Sequence, residues 1–172
     1  MSRRLSLIAW ALAVALLAAV LAAVNLAPEE HAGTEAGQRL PDFRVACLDG
    51  GEFRLADQRG KVTVINLWAT WCTPCVKELP YFDRLQKEMP DAAAVLALHA
   101  APVTADVEAF LSAYSYTIPF ALDEDGSLGA LLGASTVLPV TVIVGPDGIV
   151  TYNQSGSLTY EKLLELVAAA KR

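Results

Sequence analysis

A short apolar run, Val62-Thr63-Val64-Ile65-Asn66-Leu67-Trp68, leads into Trp71-Cys72-Thr73-Pro74-Cys75, and a helical pattern leads out of it. A buried strand that runs straight into a helix points to an α/β arrangement. The order strand, Cys-x-x-Cys, helix sets two thiols where a helix begins. Unbonded N–H groups and the positive end of the helix dipole lie there, and both favour an anion. The first sulfur is therefore expected to lose its proton more readily than a free cysteine, and the thiolate is the form that attacks a disulfide. Cys75 comes three residues later, on the same side of the first turn. It can close a bridge with Cys72 or resolve a mixed disulfide formed by it. Pro74 has no N–H to leave unbonded, so the first turn tolerates it.

The same two cysteines could be half of a zinc site, but a structural site usually takes four Cys or His ligands, often as two close pairs. Only Cys47, His31 and His99 remain, and they are scattered along the chain. Cysteine arithmetic therefore reads one redox pair plus one spare, with no metal. Cys47 falls in an apolar strand with nothing beside it to activate a thiol, and it reads as core filler. A formal charge of −6 and a pI near 4.8 argue against a nucleic-acid partner, which needs clustered Lys and Arg.

The N-terminus divides the chain into three expected parts. Residues 1–27 carry Arg3 and Arg4, then a charge-free run from Leu5 to Leu26. As a helix that run would span about 33 Å, enough to cross a bilayer core. Arg3 and Arg4 before it, with Glu29 and Glu30 after it, leave the N-terminus inside and the rest extracytoplasmic. The length favours an uncleaved transmembrane anchor over a cleaved signal peptide. Either way the cysteines face a compartment where disulfide chemistry persists. Residues 28–39 lack an apolar period and read as a flexible tether, in which His31 is solvated. Residues 40–172 form the folded domain.

Within that domain, Phe43 to Leu48 and Glu52 to Leu55 flank Asp49-Gly50-Gly51 as a hairpin. After the cysteines, Val76, Leu79, Phe82, Leu85 and Met89 recur at helical spacing, with a kink rather than a stop expected at Pro80. Ala94 to His99 reads as a central strand. A helix capped by Thr104 runs to about Tyr114, followed by a short strand over Pro119 to Leu122 and a short helix from Gly126 to Leu132. Val140 to Val144, the turn Gly145-Pro146-Asp147-Gly148 and Ile149 to Gln154 form a second hairpin. A last helix starts at Thr159. Alternating strands and helices with a closing hairpin make an α/β fold with a mixed sheet, its dithiol at the C-terminal end of a central strand.

This order is that of the thioredoxin fold. Asn66 to Cys75, followed by Glu78-Leu79-Pro80, resembles the TlpA/ResA group of membrane-tethered thiol–disulfide oxidoreductases. Leu138-Pro139 before a strand matches that family's cis-proline position, and the piece between His99 and Gly133 resembles its characteristic central α/β insertion. The similarity runs from about Leu40 to the C-terminus. It implies that Cys72 is the exposed nucleophile and Cys75 the buried resolving thiol. It also implies that Trp71, Leu138 and Pro139 line the substrate side, with Leu138 offering main-chain groups to an extended segment. Without the resemblance, Pro139 would read as an ordinary trans proline opening a strand. The expected partners are protein disulfides, a membrane thiol-transfer protein as electron donor and the lipid bilayer. The exchange itself needs no metal, flavin or nucleotide.

Two positions depart from the pattern. Asn66 stands where thioredoxin has a buried aspartate, and Val140 stands where many relatives have threonine. The resemblance moves the proton-accepting role to Glu78. Helical spacing independently turns Glu78 inward, three residues past Cys75. Burial there would raise its pKa and let it take the Cys75 proton. The alternative is a solvated glutamate turned outward at Pro80. The function expected is an extracytoplasmic protein-disulfide reductase, with a role in cytochrome c maturation in view. A thiol peroxidase of the same superfamily and a non-catalytic redox-fold adaptor are the alternatives.

Overall fold

A computed structural model of the chain describes residues 13–16, 32–100, 107–133 and 137–171. The chain divides into two units, Met1–His31 and Ala32–Arg172. Of the first, residues 13–16 are helical and exposed. The expected anchor otherwise lies outside the described residues, as do His31 and Thr104. Among the described residues, no helix is long and apolar enough to cross a membrane.

The second unit is built on a five-stranded sheet in the order β5-β4-β3-β6-β7. Its strands are β3 (Val62–Trp68), β4 (Ala93–His99), β5 (Phe120–Leu122), β6 (Val140–Val144) and β7 (Val150–Ser155). β3, β4 and β5 run parallel, while β6 is antiparallel to β3 and β7 to β6. Every residue of β3, β4 and β6 is buried, as expected for strands covered on both faces. A separate hairpin pairs β1 (Arg44–Ala46) with β2 (Glu52–Arg54). It turns where Gly50, at φ 85°, donates its N–H to the Cys47 carbonyl at 3.0 Å. The left-handed conformation suits a residue without Cβ. The hairpin joins the main sheet through the bridge between Cys47 and Ala121 at the β5 edge.

Among the described residues, four α-helices complete the unit: α1 (Thr73–Glu88), α2 (Val107–Leu111), α3 (Ser127–Leu131) and α4 (Tyr160–Ala170). α1 continues past Pro80, so that residue does not stop the helix. α4 is capped by Thr159, whose hydroxyl accepts from the Lys162 N–H at 3.2 Å. Side chains alternate across the strands and divide the core in two. Val62, Val64 and Trp68 of β3 pack with Leu79 and Phe82 of α1 and with Leu163 and Val167 of α4. Ile65 and Leu67 face the other way, with Leu96, Leu98, Val142, Leu40 and the hairpin's Phe53. Burying a leucine or isoleucine side chain in this way contributes about 1.5–3 kcal/mol.

The stretch expected to be a free tether differs over residues 32–39. Gly37 donates to the Val150 carbonyl at 2.8 Å, and Val150 donates back to the Gln38 carbonyl at 2.8 Å. Asn153 Nδ2 also donates to the Thr34 carbonyl at 3.0 Å. The segment therefore joins β7, and the folded unit begins at Ala32 rather than Leu40. The sequence hid this because the segment makes all of these bonds through its own main-chain groups, which composition does not encode.

Candidate active site

Cys72 and Cys75 are joined by a disulfide, with their Cα atoms 5.3 Å apart. Cys72 is the N-cap of α1: its backbone is extended, and its sulfur accepts from the Cys75 N–H at 3.3 Å. The first turn of α1 carries no acidic side chain, so no local charge opposes an anion on that sulfur. Cys75 is fully buried, whereas Cys72 keeps 5% of its surface exposed. Any outside group that reaches the pair therefore meets Cys72 first. Trp71, directly before it, is 59% exposed.

Glu78 points inward. It is 1% exposed, on the buried side of α1 one turn beyond Cys75. Oε1 accepts from Asn66 Nδ2 at 3.0 Å, and Oε2 accepts from the Leu158 N–H at 3.0 Å. Burial pushes its carboxyl up from 4.5 to about 7, outweighing the two hydrogen bonds that favour the charged form. Glu78 is thus able to hold or release a proton close to neutral pH. Asn66, singled out in the sequence only as a departure, is the residue that orients it. The period-2 alternation of β3 places Asn66 on the Val64 and Trp68 side, and that was the available signal. The Leu158 N–H left no signal, since it is a main-chain group 80 residues away.

The Leu138–Pro139 peptide bond is cis. Pro139 is buried, and its carbonyl accepts from the Gly156 N–H at 2.9 Å. Leu138 is half-buried against the core cluster that contains both cysteines. Val137 beside it is 59% exposed and was missed in the sequence, where it looks like any strand-flanking residue.

Cys47 belongs to the other core cluster and remains a free, buried thiol. Burial first, and then the Asp49 charge, push its pKa upward, which disfavours a thiolate. At the C-terminal end of β4, His99 is 1% exposed and lies edge-on to Trp68, with ring centroids 5.1 Å apart. Its Nε2 accepts from the Thr70 N–H at 3.2 Å, and its Nδ1 lies 2.9 Å from the Ala100 carbonyl.

The comparisons with known proteins agree with this geometry. The sequence profile of the Redoxin family matches residues 35–167. The thioredoxin-like protein YneN of Bacillus subtilis is 33% identical over 138 residues, covering 78% of this chain and 80% of that protein. The thiol-disulfide oxidoreductase ResA of Bacillus thuringiensis is 33% identical over 132 residues, covering 76% of each. Among solved structures, StoA from Bacillus subtilis superposes with a TM-score of 0.65 at 25% identity, covering 74% of this chain and 96% of that one.

Proposed function

Because the chain belongs to the Redoxin family and is a thiol–disulfide oxidoreductase, we propose that it works as an extracytoplasmic, membrane-anchored reductase of protein disulfides. The observation that carries this reading is the Cys72–Cys75 disulfide at the mouth of α1, above a buried carboxyl that titrates near neutrality.

In the reduced chain, the Cys72 thiolate is stabilised by the Cys75 N–H and the helix dipole. It attacks one sulfur of a substrate disulfide, and the other substrate sulfur leaves as a thiolate. Glu78 takes the proton of Cys75. The Cys75 thiolate then attacks Cys72 in the mixed disulfide and expels the second substrate sulfur. Two electrons have passed to the substrate, and the chain is left with the Cys72–Cys75 bond. Trp71 and Val137, each 59% exposed, are the apolar side chains we assign to an extended substrate segment, and main-chain groups at Leu138 pair with it. A membrane thiol-transfer protein returns the two electrons.

The location rests on the Leu5–Leu26 run and its flanking charges. Outside the cytoplasm, substrates that need reduced cysteines include apocytochromes c awaiting haem, and cytochrome c maturation is the role we assign. The reduced full-length chain should accelerate insulin precipitation with dithiothreitol as donor, and Cys72→Ser should return the rate to background. Turnover that survives Cys72→Ser would remove Cys72 from the nucleophile role.

A further inference from the structure

His99 is a buried titratable group that the proposed chemistry leaves unused. His99 ends β4 in register with Trp68, the last residue of β3. Trp68 is followed by Ala69-Thr70-Trp71, the loop that delivers Cys72 to the head of α1. The loop is fixed at three points. The Ala100 N–H donates to the Trp68 carbonyl at 2.8 Å, and the Cys72 N–H donates to the Ala69 carbonyl at 3.0 Å. Between these, the Thr70 N–H donates to His99 Nε2 at 3.2 Å.

Only one form of the ring satisfies these contacts. Nε2 must lack a proton to accept from Thr70, so Nδ1 carries it and donates to the Ala100 carbonyl. Burial favours this neutral state by lowering the His99 pKa. The ring is then a fixed acceptor locked by its edge-on packing against Trp68.

We propose that His99 is a positioning residue for the dithiol, holding the Thr70 N–H so that Cys72 stays at the N-cap of α1, where its sulfur meets the Cys75 N–H. His99 touches no reacting atom and acts through the loop. The consequence for the reductase reading is that part of the Cys72 thiolate stabilisation is set from β4, outside the Cys-x-x-Cys motif. Loss of the acceptor frees Thr70, moves the Cys72 sulfur off the cap and raises its thiol pKa.

The test is site-resolved alkylation of Cys72 by iodoacetamide in the reduced full-length chain, followed across pH. It needs no substrate, so its failure is distinguishable from failure of the reductase reading, which insulin turnover decides. His99→Leu keeps an apolar body against Trp68 but offers no acceptor. It should slow Cys72 alkylation at pH 7 by about three- to ten-fold, the range one hydrogen bond supplies, with the profile displaced to higher pH. His99→Gln places an amide oxygen near the Nε2 position and should restore the rate to within about two-fold of wild type, since it returns that same bond. Equal rates in wild type and His99→Leu, or equal losses in both variants, would overturn the proposal. The wild-type chain gives a second reading that needs no stable variant. Its His99 15N signals should show Nδ1 protonated and Nε2 bare at neutral pH, and the opposite tautomer would also overturn it.

Discussion

The two faces of the central sheet are made from the same strands and built to different ends. On the face away from α1, β3, β4 and β6 contribute Ile65, Leu67, Leu96, Leu98, Val140, Val142 and Val144, with Thr63 the one polar side chain among them. On the face under α1, the same strands contribute Asn66, His99 and Thr141 beside Val64 and Trp68, and the helix adds Glu78. Asn66 and Thr141 are opposite each other in register. Neither Asn66 Oδ1 nor Thr141 Oγ1 has a hydrogen-bond partner among the described residues, although both are buried. A buried polar atom without a partner costs stability, so this face gives up cohesion that the other keeps. The cysteines follow the same division. Cys47 packs with the apolar face, and Cys72 and Cys75 pack with the polar one. The lesson is that thiol chemistry here depends on what lies beneath the sulfur as well as on the Cys-x-x-Cys spacing.

The division can be broken on its apolar side first. Leu96→Ala empties a fully buried position on the face away from α1, in the cluster opposite the dithiol. It should cost about 2–5 kcal/mol in unfolding free energy, while insulin turnover by the folded fraction stays at the wild-type rate. A variant of normal stability would mean that this face is not the cohesive one.

On the polar side, the probe is Glu78→Gln. The folded carboxyl titrates near 7 and the unfolded one near 4.5. Between those values the native chain holds a proton that the unfolded chain has released, so native stability falls as pH rises through the window. The loss is complete above about pH 7 and amounts to about 3 kcal/mol. Glutamine carries no such proton. The stability difference between wild type and Glu78→Gln, measured by denaturant titration of the oxidised proteins from pH 4 to 8, should shift by that amount in favour of the variant. The variant should also lose about 100-fold or more in the resolving step, the scale of general-base catalysis.

The smallest effect belongs to the spare thiol. Cys47→Ala removes one buried sulfur from the apolar cluster and should lower stability by about 1 kcal/mol. Turnover should be unchanged, and intact Cys47 should alkylate far more slowly than Cys72 in the reduced chain. Rapid labelling of Cys47 would place chemistry on the wrong face.

Much of this is legible in the sequence. β3, α1 and the dithiol followed from an apolar run, a helical period and two cysteines, because such patterns are local. The inward turn of Glu78 was legible from its spacing to Cys75 and Phe82. The partners of these residues were not. The Asn66–Glu78 bond joins a strand to a helix, and the Leu158 N–H arrives from a loop after β7. His99 looked like the polar end of an apolar strand, and its pairing with Thr70 depends on the register of β3 against β4. Residues 32–39 read differently for the same reason, since they meet β7 through their own main-chain groups.

The most direct trial of the account is to stop the reaction halfway. Reduced full-length Cys75→Ser, mixed with a disulfide-bonded protein substrate and analysed by mass spectrometry without reductant, should accumulate a covalent one-to-one adduct through Cys72. No such adduct should persist in wild type, where Cys75 resolves it. An adduct mapped to Cys47, or none at all under conditions where wild type reduces the same substrate, would contradict the account.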